Sequence, residues 1–268
     1  MKFLSTFILA LVMAMPLMAQ ESELIIPTTN GKGIYGIISP AKSVEAKHGV
    51  AIISHGFNGS HHFGRDYFAT LNELGYSVYS FDFPCGSVRS KSDNNTMEMS
   101  ILDEVNALLH IVQYFRNQRD VDPSRIVLIG ESQGGLVSAL AAAQVPDQIS
   151  RLVLIYPALC IPDNWIARYP KVEQIPDTTR LWNVPMGRRF FTELRTLDVY
   201  GTIGQYKRPV LIVHGSNDRV VPIGYSQRAE QTYGDAKLHV IDKAGHGFKP
   251  NERVLSNQYV REFLLDRH

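Results

Sequence analysis

Apolar residues along this chain follow two rhythms. Short, mostly apolar runs, Val50-Ala51-Ile52-Ile53-Ser54, Ser77 to Phe83, Arg125 to Ile129, Ile149 to Tyr156, Pro209 to Val213 and Lys237 to Ile241, have the pattern of strands covered on both sides. Between them the period lengthens. Ile101, Val105, Leu108, Val112 and Phe115 recur at alternating steps of four and three, which lays one helix face on a core. Glu98, Asp103 and Glu104 crowd the first turns of that helix and Arg116 and Arg119 its last, as the helix dipole favours. Further helices are expected over Tyr67 to Leu74, stopped by Gly75, over Gln133 to Gln144 and over Arg253 to Leu265. Glu23 to Pro27 and Gly33 to Pro40 read as antiparallel edge strands around a Thr29-Asn30-Gly31-Lys32 turn. Strands alternating with helices predict an α/β fold, a mostly parallel twisted sheet covered by helices on both faces.

One segment keeps neither rhythm. From 161 to 202 the chain carries Trp165, Tyr169, Trp182, Phe190 and Phe191 among Pro162, Pro170, Pro176 and Pro185. It is too long for an ordinary connection and follows a strand whose end should face a site, so it reads as an inserted cap or lid. Trp165, Tyr169 and Trp182 are its candidate substrate-binding residues. The bland alternative is a helical excursion that packs its own aromatics.

The first nineteen residues are set apart by composition. Lys2 precedes an apolar stretch from Phe3 to Met18, too short for a membrane span, with Pro16 near the expected cleavage point. The expectation is a signal peptide over 1–19, cleaved after Ala19, and a periplasmic or secreted chain. An uncleaved anchor is the alternative, since Leu17 is larger than the residue favoured at that place. Of 27 basic and 26 acidic residues, Lys2 leaves with the segment, so 26 of each remain. A neutral chain with no basic run has no footprint for nucleic acid or anionic lipid and suits a small neutral substrate. Residues 20–268 are enough for one well-buried core and show no linker or repeat, so a single domain is expected.

Gly130-Glu131-Ser132-Gln133-Gly134 joins the apolar run Arg125 to Ile129 to the small-residue stretch that follows. A strand, a sharp turn and a helix at such a motif form a nucleophile elbow, with Ser132 lifted clear of the backbone and Gly130, Gly134 and Gly135 leaving it room. A serine hydroxyl needs a base, and the base needs an orienting carboxylate. His246, in Gly245-His246-Gly247, follows the last strand, and Asp218, in His214-Gly215-Ser216-Asn217-Asp218, follows the strand before it. Oxyanion donors should come from the backbone N–H of Gln133, at a helix start, and of Phe57, in His55-Gly56-Phe57 after an early strand. The rivals read as structural: Asp242 as a turn carboxylate, Glu131 as a partner for a neighbouring group, His214 as a packed strand-end histidine. His61 and His62 lack a third metal ligand at suitable spacing, so no metal or cofactor is expected.

Ser54-His55-Gly56-Phe57, Gly130 to Gly135, His214 to Asp218 and Gly245-His246-Gly247-Phe248 together resemble the α/β-hydrolase superfamily. More narrowly, the chain is similar to the bacterial cinnamoyl or feruloyl esterases, over essentially all of 20–268, including Ser80-Phe81-Asp82-Phe83 and Leu154-Ile155-Tyr156-Pro157-Ala158. The resemblance implies an α/β-hydrolase fold, with Ser132 as nucleophile, Asp218 and His246 as its partners, Phe57 and Gln133 as oxyanion donors and 161–202 as a small cap. The implied sheet order puts two strands between those preceding Cys85 and Cys160, separating their ends by about 14 Å. A disulfide needs about 7 Å between Cα atoms, so two free thiols near the site mouth are expected.

The expected activity is a secreted serine hydrolase acting on a small-molecule carboxylic ester through an acyl-enzyme, with hydroxycinnamoyl esters as the favoured class. Two readings compete: a peptidase of the prolyl-oligopeptidase type, which shares the triad order, and a non-catalytic binding protein on a hydrolase scaffold. Oligomeric state is left open.

Overall fold

The computed structural model describes residues 20–28, 31–43 and 45–266. The segment read as an export signal lies outside them, as do Thr29 and Asn30 of the turn between the first two strands. In chain order the elements are β1 (Ser22–Pro27), β2 (Gly33–Ser39), β3 (His48–Ser54), α1 (Arg65–Glu73), β4 (Tyr76–Phe81), α2 (Ile101–Arg116), β5 (Val121–Glu131), α3 (Gln133–Gln144), β6 (Arg151–Ile155), α4 (Ile161–Arg168), β7 (Thr178–Leu181), β8 (Val184–Gly187), α5 (Arg188–Glu193), α6 (Val199–Ile203), β9 (Val210–Gly215), α7 (Gly224–Thr232), β10 (Ala236–Ile241) and α8 (Pro250–Leu265).

The large sheet runs β1-β2-β4-β3-β5-β6-β9-β10. From β4 to β10 all pairings are parallel, and β1 and β2 add an antiparallel edge. Because side chains alternate across a strand, each central strand feeds two cores. Val50 and Ile52, Ile126 and Leu128, and Val210 and Ile212 enter one core with α2 and α3. Ala51 and Ile53, Val127 and Ile129, and Leu211 and Val213 enter the other with α1 and α8. The apolar runs therefore lack a polar face because neither side of the sheet meets water.

α3 starts and ends where the sequence places it. Every residue from Gln133 to Ala143 is buried, as expected of a helix built from Ala, Leu, Val and Gly with no polar stripe. β5 begins at Val121, earlier than Asp122-Pro123 suggests; the pairing register shifts between His48 and Val50 opposite it, and such irregularities accommodate a proline without an N–H.

The 161–202 segment resolves into α4, a hairpin of β7 and β8, α5 and the start of α6, joined by 3₁₀ turns. Ile175, Met186, Phe190, Phe191 and Leu194 are buried in the α2–α3 core, each contributing roughly 1.5–3 kcal/mol by burial. α6 packs on α3, so the last residues of the segment belong to the body. At the hairpin turn Trp182 (φ 46°) and Asn183 (φ 67°) are both left-handed, the geometry a two-residue loop needs to match strand twist.

Candidate active site

The Ser132 hydroxyl is aimed by its backbone. Between β5 and α3 the residue takes φ 51° and ψ −117°, a costly conformation for a side-chain-bearing residue. Hydrogen bonds around the peptide hold it: Ser132 N–H donates to Ile155 O (3.0 Å), while Ser132 O accepts from Ala158 N–H (2.8 Å) and Gly135 N–H (3.0 Å). The flanking glycines are required by close approach. A Cβ on Gly134 would lie 2.4 Å from His55 O, one on Gly130 2.3 Å from Gly134 O, and one on Gly135 2.8 Å from Pro157 Cβ.

The loops after β9 and β10 bring Asp218 and His246 to this hydroxyl. His246 Nε2 lies 2.9 Å from Ser132 Oγ, and its Nδ1 lies 2.7 Å from Asp218 Oδ2. Nδ1 faces a carboxylate, which only accepts, so it carries the proton and leaves Nε2 free to accept from Ser132. Burial alone would raise the Asp218 pKa. Hydrogen bonds from His214 and His246 and the Val221 N–H overcome it and hold the carboxyl well below the usual range, so Asp218 is anionic wherever His246 is needed neutral.

The turn after β3 packs against the same serine. A Cβ on Gly56 would sit 3.1 Å from Ser132 Cβ and 3.6 Å from its Oγ, which sets the His55-Gly56-Phe57 turn against the serine. Neither Phe57 N–H nor Gln133 N–H donates to a protein acceptor among the described residues. A hydroxyl hydrogen-bonded to an imidazole that a carboxylate orients is an arrangement that can make an oxygen nucleophilic.

A family model described as "Serine aminopeptidase, S33" matches residues 45–185, just over half of the chain, and one described as "TAP-like protein" matches 195–268. The chain belongs to the serine aminopeptidase S33 family of α/β-hydrolases. Est1E from Butyrivibrio proteoclasticus, solved with ferulic acid bound, superposes with a TM-score of 0.82 at 27% identity, over 90% of this chain and 98% of that one. An acetyl xylan esterase from Paenibacillus sp. R4 shares the fold at 17% identity, with a TM-score of 0.69 over 94% of this chain and 86% of its own. The uncharacterised protein YfhR of Escherichia coli K12 is 24% identical over 244 residues, 88% of this chain and 78% of the relative.

Above the serine the hydrolase has a cavity of about 380 Å³, walled by Ser132, Cys160, Trp165, Trp182, Arg168 and Arg219 among others. Of the three candidate aromatics, Trp165 and Trp182 line it. Tyr169 stands behind Trp165, its ring stacked at 6.1 Å and its hydroxyl 3.2 Å from Thr179 Oγ1. Trp182 is 66% exposed at the hairpin tip and meets the Phe57 ring edge-on at 5.8 Å. Cys160 and Cys85 are both free thiols. Cys160 is at the cavity, but Cys85 is not at the mouth: the loop after β4 turns toward the β1–β2 edge, and Cys85 lines another cavity with Lys32 and Asp93. Asp242 accepts from Ser216 Oγ at the surface. His61 is taken up by Asp82 (2.8 Å). No cluster of three or more metal-ligating side chains exists among the described residues.

Of four supporting groups, His55 and Glu104 escaped the sequence reading, while His214 and Glu131 are the packed histidine and the neighbour's partner it expected. His214 is fully buried, with Nε2 3.0 Å from Val221 O and 3.2 Å from Asp218 Oδ2. Both neighbours are acceptors, so Nε2 carries the proton and Nδ1 accepts from Ser226 Oγ (2.7 Å). His55 Nε2 accepts from Phe83 N–H (3.1 Å) and its Nδ1–H donates to Gly56 O (2.7 Å), pinning the turn that presents Phe57. Glu104, on the buried face of α2, receives the Gln133 side-chain amide on both oxygens at 3.0 Å, and burial pushes its carboxyl up to about 8. Glu131 accepts from Tyr156 OH (2.8 Å), with its own carboxyl pushed to about 7 by burial, while the Tyr156 ring packs 4.7 Å from the His246 ring.

Proposed function

We propose that this hydrolase cleaves carboxylic esters through an acyl-enzyme on Ser132, with hydroxycinnamoyl esters as its substrates. The single observation that carries the reading is the continuous array from Ser132 Oγ through His246 to Asp218, with the Phe57 and Gln133 amides unpaired beside it. Ser132 Oγ attacks the ester carbonyl as its proton passes to His246 Nε2, and the two amides take the oxyanion. Collapse expels the alcohol, which leaves with the proton from His246. A water then attacks the acyl-enzyme, gives its proton to His246, and the acid departs as Ser132 recovers its own. The aromatic acyl group is supported by Trp165 and Trp182 in the cavity wall and by the likeness to Est1E, a protein solved with ferulic acid. Export to the periplasm or beyond is part of the proposal and rests on the apolar segment Phe3–Met18.

The test is covalent. A fluorophosphonate should label the wild type at Ser132 and leave Ser132→Ala untouched; labelling that survives the substitution overturns the assignment. Turnover of methyl ferulate alongside short alkyl esters supports the aromatic acyl class, and turnover of the alkyl esters alone removes it. A second reading, hydrolysis of amide bonds, is favoured by the family description as aminopeptidase. Activity on aminoacyl-arylamides exceeding that on esters would establish it instead.

A further inference from the structure

The net charge of the chain is close to zero, yet the wall of the Ser132 cavity is not neutral. Arg168, at the end of α4, and Arg219, in the loop after β9, both line it, and no aspartate or glutamate does. Most of the remaining lining is apolar, with Trp165, Trp182, Val220 and Val221 among it. Arg65, Arg125, Arg189, Arg253 and Arg261 are each matched by a carboxylate, while others among the described residues, such as Arg89, Arg180 and Arg228, are not. Among the described residues neither Arg168 nor Arg219 has a carboxylate partner.

Each guanidinium is left uncompensated for a visible reason. Arg168 lies over the rings of Trp165 (5.5 Å) and Tyr169 (5.7 Å). Stacking of this kind orients the planar fork while leaving its N–H donors free. Arg219 adjoins Asp218, but that carboxylate is already spent: Oδ1 accepts from Val220 N–H and Val221 N–H, and Oδ2 meets His246 and His214. Two exposed arginines from separate elements thus share the wall of the cavity that Ser132 lines.

We infer that the substrate of this hydrolase carries a negative charge, a carboxylate, within a few atoms of the scissile ester and held by Arg168 and Arg219. The inference rests on the ester-hydrolase reading of the site and replaces the neutral substrate expected from net charge. Guanidinium recognises carboxylate through paired charge-assisted hydrogen bonds, and apolar neighbours reduce the water competing for them. The carboxylate could sit on the acyl or on the alcohol side of the ester.

The two sides are separated with matched substrates. On the acyl side, mono-4-nitrophenyl glutarate is compared with its methyl ester; on the alcohol side, caffeoylquinate is compared with its methyl ester. At low salt the free acid should be preferred in kcat/KM by about tenfold in at least one pair, and the preference should shrink in 0.5 M NaCl, roughly a Debye length of 4 Å. In the Arg168→Gln/Arg219→Gln double variant the acid-to-ester ratio should fall about tenfold, with an unchanged far-ultraviolet spectrum showing that the variant is folded. Equal turnover of acid and methyl ester in both pairs, or a preference that survives the double variant, overturns the inference and leaves the ester reading standing. Turnover of none of the four compounds overturns both.

Discussion

His214 Nε2 lies 3.2 Å from Asp218 Oδ2, the same oxygen that His246 Nδ1 meets at 2.7 Å. One carboxylate oxygen therefore serves two imidazoles, one sealed in the core and one at the site. The buried ring holds the anion in place for the one at the site, which makes His214 a positioning residue for the proposed reaction.

Replacing His214 by Phe removes a donor from Asp218 and leaves Ser226 Oγ unpartnered. Stability should drop by about 1–3 kcal/mol. In the proposed reaction kcat should fall about tenfold with KM little changed, because the lost hydrogen bond supports the imidazolium formed in the transition state. His214→Gln, which keeps an N–H donor, should recover part of kcat. A KM effect larger than the kcat effect would show that His214 shapes the cavity instead.

The two buried carboxyls predict a pH dependence of stability. Glu104 and Glu131 are pushed from 4.5 to about 8 and about 7 by burial. Between pH 4.5 and those values the folded chain keeps protons that the unfolded chain releases. Their stabilising contribution is therefore complete below pH 4.5 and is lost as pH rises, by up to about 1.4 kcal/mol per unit for each group. Asp218 has the opposite sign below the ordinary carboxylate range, and the imidazoles of His55, His62 and His239, which burial pushes down from 6.5, oppose the two carboxyls up to about that pH. Tm should fall from pH 7 to pH 8, above the histidine window, and Glu104→Gln should flatten that slope. A flat wild-type profile contradicts the protonated state assigned to Glu104.

Trp182 offers a test of recognition separated from folding. Its ring is two-thirds exposed, so Trp182→Ala should change stability by no more than about 0.5 kcal/mol. Loss of an aromatic contact worth about 0.5–1.5 kcal/mol should lower the preference for methyl ferulate over ethyl butyrate several-fold. An unchanged preference would remove the hairpin tip from the substrate-binding surface.

The cysteines should be silent. Burial pushes both thiols up to about 11, which starves them of thiolate at neutral pH. Reaction with iodoacetamide at pH 7.5 should be slow in the native protein, and two thiols should titrate after unfolding without reductant. One disulfide in the unfolded, unreduced chain would contradict the free state of Cys85 and Cys160.

Much of this site was legible because its chemistry sits where strands end. Ser132, Asp218 and His246 each follow an apolar run, and glycines mark the turns that expose them. The limits of α3 were readable for a related reason: its small apolar residues permit no other packing. What periodicity misses is a polar group facing inward. Glu104 looks like a dipole-matched acid in the first turn of α2, yet its position beside Ile101 and Leu108 turns it into the core, where Gln133 meets it. His214 differs in the same way, since strand-end burial was expected but contact with the Asp218 carboxylate is a tertiary fact. The β7–β8 hairpin left no trace because its turn is made by Trp182-Asn183, without the glycine that usually announces such a loop.

The burial of α3 on every side bears on how this molecule breathes. A helix with no wet face cannot fray alone; its amides exchange with solvent only when the sheet opens around it. The hairpin tip is the reverse, a two-stranded arm with its largest side chain in water. Hydrogen exchange should thus find the slowest amides directly beneath Ser132 and fast ones opposite, at Trp182 and Asn183. Variation can alter what enters the cavity by rewriting that arm, while Ser132 stays anchored at the start of a helix buried on every side.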